Sequence, residues 1–187
     1  MTKVATRPLT TFFASALTVL LAFGRSSSLQ QGGGTDIRQF YAAGATIWIV
    51  NTTMLEPKYC EVDYVNHTSY KYAFFERDYN KSGTKHKEIL AGMYTRMDSA
   101  TFNGMRVFQR NAPSFSSYEK LLSEYGNYAC GVFNVTLLPP STGTYYDMRV
   151  KDSAVENPHA SCLKKFEELS RGEYITNLFN NSCRKSR

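Results

Sequence analysis

Tryptophan and histidine are scarce in this chain, with one and three copies. His67 lies inside an Asn-x-Thr tripeptide, His86 in a Lys-His-Lys run and His159 beside a proline. None has the ligand spacing of a metal site or the nucleophile and acid partners of a hydrolytic triad. The sequence therefore predicts no enzyme, no metal and no cofactor. The formal net charge is +6, but apart from the Arg184-Lys185-Arg187 tail the cations are dispersed. Without a clustered basic stripe, a nucleic-acid partner is not expected. Long apolar runs are also missing after the first two dozen residues, so no later segment would span a bilayer.

That first run has a purpose of its own. Lys3 and Arg7 precede an acid-free apolar stretch from Leu9 to Gly24, with small residues Ala22 and Gly24 at the −3 and −1 positions of a cleavage site. This is the pattern of a secretory signal peptide over residues 1–24. The alternative, an uncleaved anchor, would need roughly 20 apolar residues. Removing 1–24 takes away Lys3 and Arg7 and no acid, so the net charge falls from +6 to +4. No membrane contact is expected after cleavage, and the protein would be secreted and extracellular.

The cysteines and asparagines fit that route. Four cysteines, Cys60, Cys130, Cys162 and Cys183, are expected to pair as disulfides in an oxidising compartment. Asn51, Asn66, Asn80, Asn134 and Asn180 each begin an N-x-S/T sequon, more than chance supplies, and are the predicted glycosylation sites. Residues 25–35 (RSSSLQQGGGT) read as a flexible linker. The remaining 36–187, about 150 residues, suffice for one domain with one core.

Within that domain the pattern is mostly strand. Runs rich in β-branched and aromatic residues fall near 44–53, 59–65, 69–76, 86–94, 101–109, 118–124, 127–138 and 144–151. Turn signals separate them at Glu56-Pro57, Asn66-His67, Asn80 to Gly83, Asn111 to Pro113, Gly126-Asn127 and Pro139 to Gly143. Eight short strands so spaced predict an all-β, antiparallel up-and-down barrel whose interior holds one small ligand. Thr35 to Tyr41 predicts a short N-terminal helix behind a capping residue. After Pro158 or Ser161, a C-terminal helix places Cys162, Leu163, Phe166 and Leu169 on one face, ends at Gly172 and packs outside the barrel.

Strand parity assigns faces. A glycan on Asn134 points outward, so Cys130 and Val132 do too, while Gly131, Phe133, Val135 and Leu137 point inward. An outward Cys130 can meet Cys162 on the packed helix. By the same rule, outward Asn51 leaves Trp48 and Val50 facing the interior, making the lone tryptophan a candidate for the cavity floor. Tyr70, Tyr72 and Phe74 alternate with Lys71, Ala73 and Phe75, so the tyrosine face would supply hydroxyls to a ligand or simply fill a core.

The ordered set Asp36-x-x-x-Phe40, Ile47-Trp48-Ile49-Val50-Asn51-Thr52-Thr53, Cys60, Tyr128-Ala129-Cys130-Gly131-Val132, Tyr145-Tyr146-Asp147-Met148, Cys162-Leu163-x-x-Phe166 and Cys183 resembles the tick salivary lipocalins related to histamine-binding proteins. The resemblance covers essentially the whole mature chain. It implies the pairing Cys60–Cys183 and Cys130–Cys162, where four cysteines alone allow three connectivities. It also implies sequestration of a small host inflammatory mediator: a biogenic amine such as histamine or serotonin, or a lipid such as a fatty acid, leukotriene or cholesterol. A third reading makes the barrel a scaffold whose outer loops engage a host immune protein.

The amine branch of that family has an acid after the second cysteine and a Glu-Leu-Trp/Tyr triplet before the third. Here those positions read Gly131 and Asp147-Met148-Arg149. If Asp147 faces the cavity, Tyr145 and Arg149 face it as well, and Arg149 neutralises the carboxylate or binds an anionic head group. If Tyr146, Met148 and Val150 face inward instead, the lining is apolar, and that set makes the better core face. The candidate ligand-binding residues are thus Trp48, Tyr70, Tyr72, Phe133, Tyr145, Asp147 and Arg149.

Overall fold

The computed structural model describes residues 35–112, 114–139 and 143–185. The predicted signal peptide, the linker up to residue 34, part of the Pro139 to Gly143 turn and Arg187 lie outside them. Helix α1 (Ile37–Phe40) opens the described chain, with the Asp36 carboxylate accepting from the Arg38 backbone N–H at 3.0 Å as an N-cap. Strands β1 (Thr46–Thr52), β2 (Tyr59–Thr68), β3 (Tyr72–Lys81), β4 (Thr84–Thr95), β5 (Gly104–Gln109), β6 (Phe115–Tyr125), β7 (Cys130–Leu137) and β8 (Thr144–Lys151) follow, each antiparallel to the next. Pairing of β1 with both β8 and β2 closes them into a barrel. The predicted eight-stranded up-and-down architecture is therefore the observed one.

Strands β3 and β4 run beyond their predicted limits, to Lys81 and back to Thr84, and join through Ser82-Gly83, both at positive φ. The predicted strand stops at residue 76, before Arg77 and Asp78. The observed strand continues because Arg77 is buried in an ionic network inside the barrel.

Helix α2 (Ala160–Leu169) packs on the outside of β6, β7 and β8. Its cap is His159, whose Nδ1 accepts from the Ser161 backbone N–H at 3.2 Å, in place of the expected Pro158 or Ser161. Cys162 and Phe166 are buried beneath it as expected, but Leu163 is 40% exposed. The chain then crosses back as β9 (Thr176–Asn177), which pairs with the end of β1, and finishes in α3 (Asn181–Lys185). Leu178 donates to the Val50 carbonyl at 2.8 Å and accepts from the Cys60 N–H at 2.9 Å, so the C-terminal segment fills the gap where β1 and β2 diverge. Disulfides Cys60–Cys183 and Cys130–Cys162 fix this segment and α2 to the barrel, in the pairing that the family resemblance implies.

Two cores result. The inner one joins Ile37, Phe40, Ile47, Phe75, Leu90, Met105, Leu121 and Phe133, and α1 closes that end of the barrel. The outer one lies under α2 and the C-terminal segment and contains Trp48, Val62, Val132, Met148, Val150 and Phe166.

Candidate ligand-binding site

The outer core decides what the barrel interior contains. Apolar residues of β1, β2 and β8 point outward to α2 and the C-terminal segment, so their alternating neighbours point inward. On β2 these neighbours are Glu61 and Asp63, and on β8 they are Tyr145, Asp147 and Arg149. Arg77 of β3 and Glu119 of β6 meet them. All the charged members of this set are at most 6% exposed.

Such burial is tolerable only if the charges are paired and hydrogen-bonded. Arg77 donates from Nε and Nη2 to the two Asp63 oxygens at 2.7 and 2.8 Å, and from Nη1 to Glu119 Oε1 at 3.2 Å. Arg149 donates from Nη1 to Glu119 Oε2 and to the Tyr41 hydroxyl, and from Nη2 to Asp147 Oδ2 at 2.8 Å. Tyr41 in turn donates to Asp63 Oδ2 at 2.7 Å. Glu119 thus bridges the two guanidiniums. Arg149 also lies 4.5 Å over the centre of the Phe133 ring.

The surroundings set the carboxylates apart. Burial alone would raise the Glu119 pKa, but Arg149 and Arg77 overcome it and hold the group at about 2. Among the described residues Glu61 has one ion-pair contact, with Arg77 Nε at 3.4 Å, and burial pushes it up to about 7 against the pull of Arg77 and Lys58. Asp147 is also raised by burial, opposed by Arg149. Burial, then the charge of Asp147, raises the Tyr145 hydroxyl well above its usual range.

Above this network the barrel is open. A cavity of about 110 Å³ is lined by Lys58, Arg77, Glu88, Gln109, Ser117 and Tyr145, among others. A wider mouth of about 370 Å³ is lined by Met54, Leu55, Lys58, Lys81, Leu137 and Tyr145, among others. Glu88 accepts from the Tyr79 hydroxyl at 3.1 Å. At the closed end there is no room. A Cβ on Gly131 would lie 2.8 Å from Leu121 Cδ1 and 2.9 Å from Phe40 Cε2, so apolar side chains fill the space beside this glycine.

Of the sequence-predicted ligand residues, Phe133, Tyr145, Asp147 and Arg149 meet inside the barrel. Of the two β8 readings, the inward-facing Asp147 is observed, and Tyr146, Met148 and Val150 belong to the outer core. The expected inward face of Trp48 and Val50 is corrected. The register shifts between Ile49 and Asn51, so a β-bulge breaks the period of two. Trp48 lies in the outer core, donating to Asp152 Oδ1 at 2.7 Å and packed 4.9 Å from the Phe179 ring. The expected tyrosine face is corrected as well. Ala73, Phe75 and Arg77 are the buried set on β3, so Tyr72 and Phe74 face out, and Tyr70 precedes the strand at 67% exposure.

Sequence reasoning missed Tyr41, Glu61, Asp63, Arg77, Glu88 and Glu119. A signal was present: Glu61 and Asp63 share a face with Val65. None of the five sequon asparagines is buried. The Asn51 side chain accepts from Asn177 Nδ2 at 3.0 Å, and Asn180 accepts from the Ser182 N–H at 2.9 Å.

No known family model matches the sequence, and no curated protein matches it. Solved structures do. The AM182 serotonin complex is 18% identical, with 81% of this chain and 94% of that one covered at a TM-score of 0.60. Japanin from Rhipicephalus appendiculatus, bound to cholesterol, is 8% identical over 76% of this chain and 97% of that one, with a TM-score of 0.53. A dog lipocalin allergen is 10% identical over 73% of this chain and 92% of that one, also at 0.53. At these identities the likeness is one of fold, and the closed eight-stranded barrel with its flanking helices is the lipocalin fold.

Proposed function

We propose that this chain is a secreted, glycosylated lipocalin that sequesters one small cationic amine, such as histamine or serotonin, and so dampens inflammation in a host. The observation that carries this reading is a surplus of carboxylates. Glu61, Asp63, Glu88, Glu119 and Asp147 face Lys58, Arg77 and Arg149, five acids against three cations. Four of these acids and two of these cations, Arg77 and Arg149, are buried, and even with Glu61 protonated the buried set keeps one negative charge in excess, which favours a cationic guest over an anionic one. Size supports it too, since the cavity of about 110 Å³ is well below the roughly 300–1,000 Å³ of drug-sized pockets. The packing at Gly131 supports a single site. The solved serotonin complex of a similarly folded protein is in keeping with this ligand class.

A lipid is the second reading, and one observation favours it. The mouth of about 370 Å³ carries Met54, Leu55 and Leu137, with Leu55 92% exposed. Calorimetry with histamine and serotonin, after native mass spectrometry has shown the barrel empty, separates the two. Binding at one amine per chain, weakened at least tenfold by Glu88→Gln, is the expected result. A co-purified lipid and no amine heat would overturn the amine reading.

A further inference from the structure

Resting on the amine reading, we propose that the empty barrel stores one exchangeable proton on Glu61 and that an entering monocation displaces it. The site then trades one positive charge for another.

The geometry singles out this carboxylate. Arg77 Nε has one hydrogen, and it goes to Asp63 Oδ1 at 2.7 Å. The same nitrogen is 3.4 Å from Glu61 Oε1, close enough for attraction but with no hydrogen left to donate. The Nη groups of Arg77 donate to Asp63 and Glu119, and Arg149 is taken up by Glu119, Asp147 and Tyr41. Among the described residues nothing donates a hydrogen bond to Glu61, which is 5% exposed. The groups around it are Arg77 and Tyr79 on β3, Asp147 and Tyr145 on β8, Asp63 on its own strand and Lys58 just before it. Lys58 directs its amine to the Tyr79 ring, 4.2 Å from the centroid. Two of those neighbours are like charges.

A buried carboxyl with acid neighbours and no donor keeps its proton, because the neutral form needs neither counter-charge nor full hydration. Burial accordingly places Glu61 at about 7, whereas Glu119, with both guanidiniums on it, stays ionised. The Glu61 neighbours Arg77, Lys58 and Tyr145 line the cavity of about 110 Å³, so an ammonium ion arriving there supplies the missing counter-charge from beside Glu61 and removes the reason to hold the proton. The partner is therefore a monocation that keeps its charge at neutral pH. Its affinity should fall roughly tenfold per pH unit below the titration of Glu61 and level off above it.

Two measurements on the full mature protein test this. The first is infrared spectroscopy of the empty protein between pH 5.5 and 8.5. A carboxylic-acid C=O band that disappears near neutrality in the wild type, persists in Asp147→Asn and is missing in Glu61→Gln is expected. Glu61→Gln replaces the protonated acid with a neutral group of the same shape and should fold. Absence of the band in wild type, or its loss in Asp147→Asn with retention in Glu61→Gln, overturns the stored proton whether or not any amine binds. The second is serotonin calorimetry at pH 6.5 in phosphate and in ACES, two buffers without net positive charge that differ in ionisation enthalpy. Release of about three-quarters of a proton per ligand in wild type and near none in Glu61→Gln is expected. Binding with equal heats in both buffers overturns the exchange. No serotonin heat with an intact titrating band overturns the exchange through the amine reading, and leaves the proton on Glu61 standing.

Discussion

Replacing Glu119 with glutamine should destabilise the protein by about 3 kcal/mol at neutral pH and by progressively less in acid. Glu119 sits between the two guanidiniums of the interior, and in the folded protein it titrates at about 2 against an ordinary 4.5. Each pKa unit is worth about 1.36 kcal/mol, so that difference corresponds to about 3 kcal/mol of folding free energy. The sign follows from the depressed value. The contribution is fully present above 4.5, falls to roughly half near pH 3 and is gone once pH drops below 2. In the variant, the amide keeps an acceptor for one arginine but turns an N–H₂ toward the other. For a domain of about 150 residues the loss amounts to some 6–12 °C in Tm. Urea unfolding followed by far-ultraviolet circular dichroism at pH 7 and pH 3, with both disulfides intact, reads it directly. A loss under 1 kcal/mol at pH 7, or the same loss at both pH values, would refute the idea that Glu119 is the ionised bridge of the interior.

Two further predictions concern packing and cross-links. Gly131→Ala should cost about 1–3 kcal/mol by overpacking, because its Cβ would stand 2.8 Å from Leu121 Cδ1 and 3.2 Å from Phe133 Cε2; thermal unfolding no lower than wild type would contradict the close approach. Removing Cys130–Cys162 (separation 32) as a pair of alanines should cost about 4 kcal/mol, and removing Cys60–Cys183 (separation 123) about 5, by loop entropy. Denaturant titration of the two double variants checks the order, and a larger loss from the shorter loop would count against an entropic origin.

Much of the fold was legible because turns and strand spacing are local. Thr144–Lys151 matches the predicted strand at both ends, and the predicted turn around Ser82-Gly83 adopts the positive φ that a two-residue hairpin needs. Local patterns also misled. The predicted strand stops at residue 76 and the predicted turn begins at Asn80, yet the buried ion pairs of Arg77 carry β3 on to Lys81. Trp48 was assigned from Asn51 by counting in twos, and the bulge at Val50 is a property of the β1–β8 pairing rather than of either sequence. The outward face of Cys130, one strand over, was counted in the same way with no bulge between, and the disulfide to Cys162 agrees with it.

The site was the harder part, because both faces of β1 are apolar and the usual rule of apolar side in and polar side out is reversed at Glu61 and Asp63 of β2 and over β8. Met148 and Val150 make the better core face, and they do face a core, but it is the one under α2. Asp147 and Arg149 look like solvent residues and lie at 3% and 1% exposure within the barrel. Only knowledge that α2 and the C-terminal segment cover these particular strands would have inverted the assignment. The cost of the inversion shows in the network itself. Buried ion pairs add little net stability compared with apolar packing. A barrel selected for stability alone would fill its interior as it does around Phe40, Leu121 and Phe133. That the half nearest the mouth instead holds five acids and three cations, with Glu61 lacking a donor, places the least stabilising chemistry next to the cavity, where a charged guest can complete it.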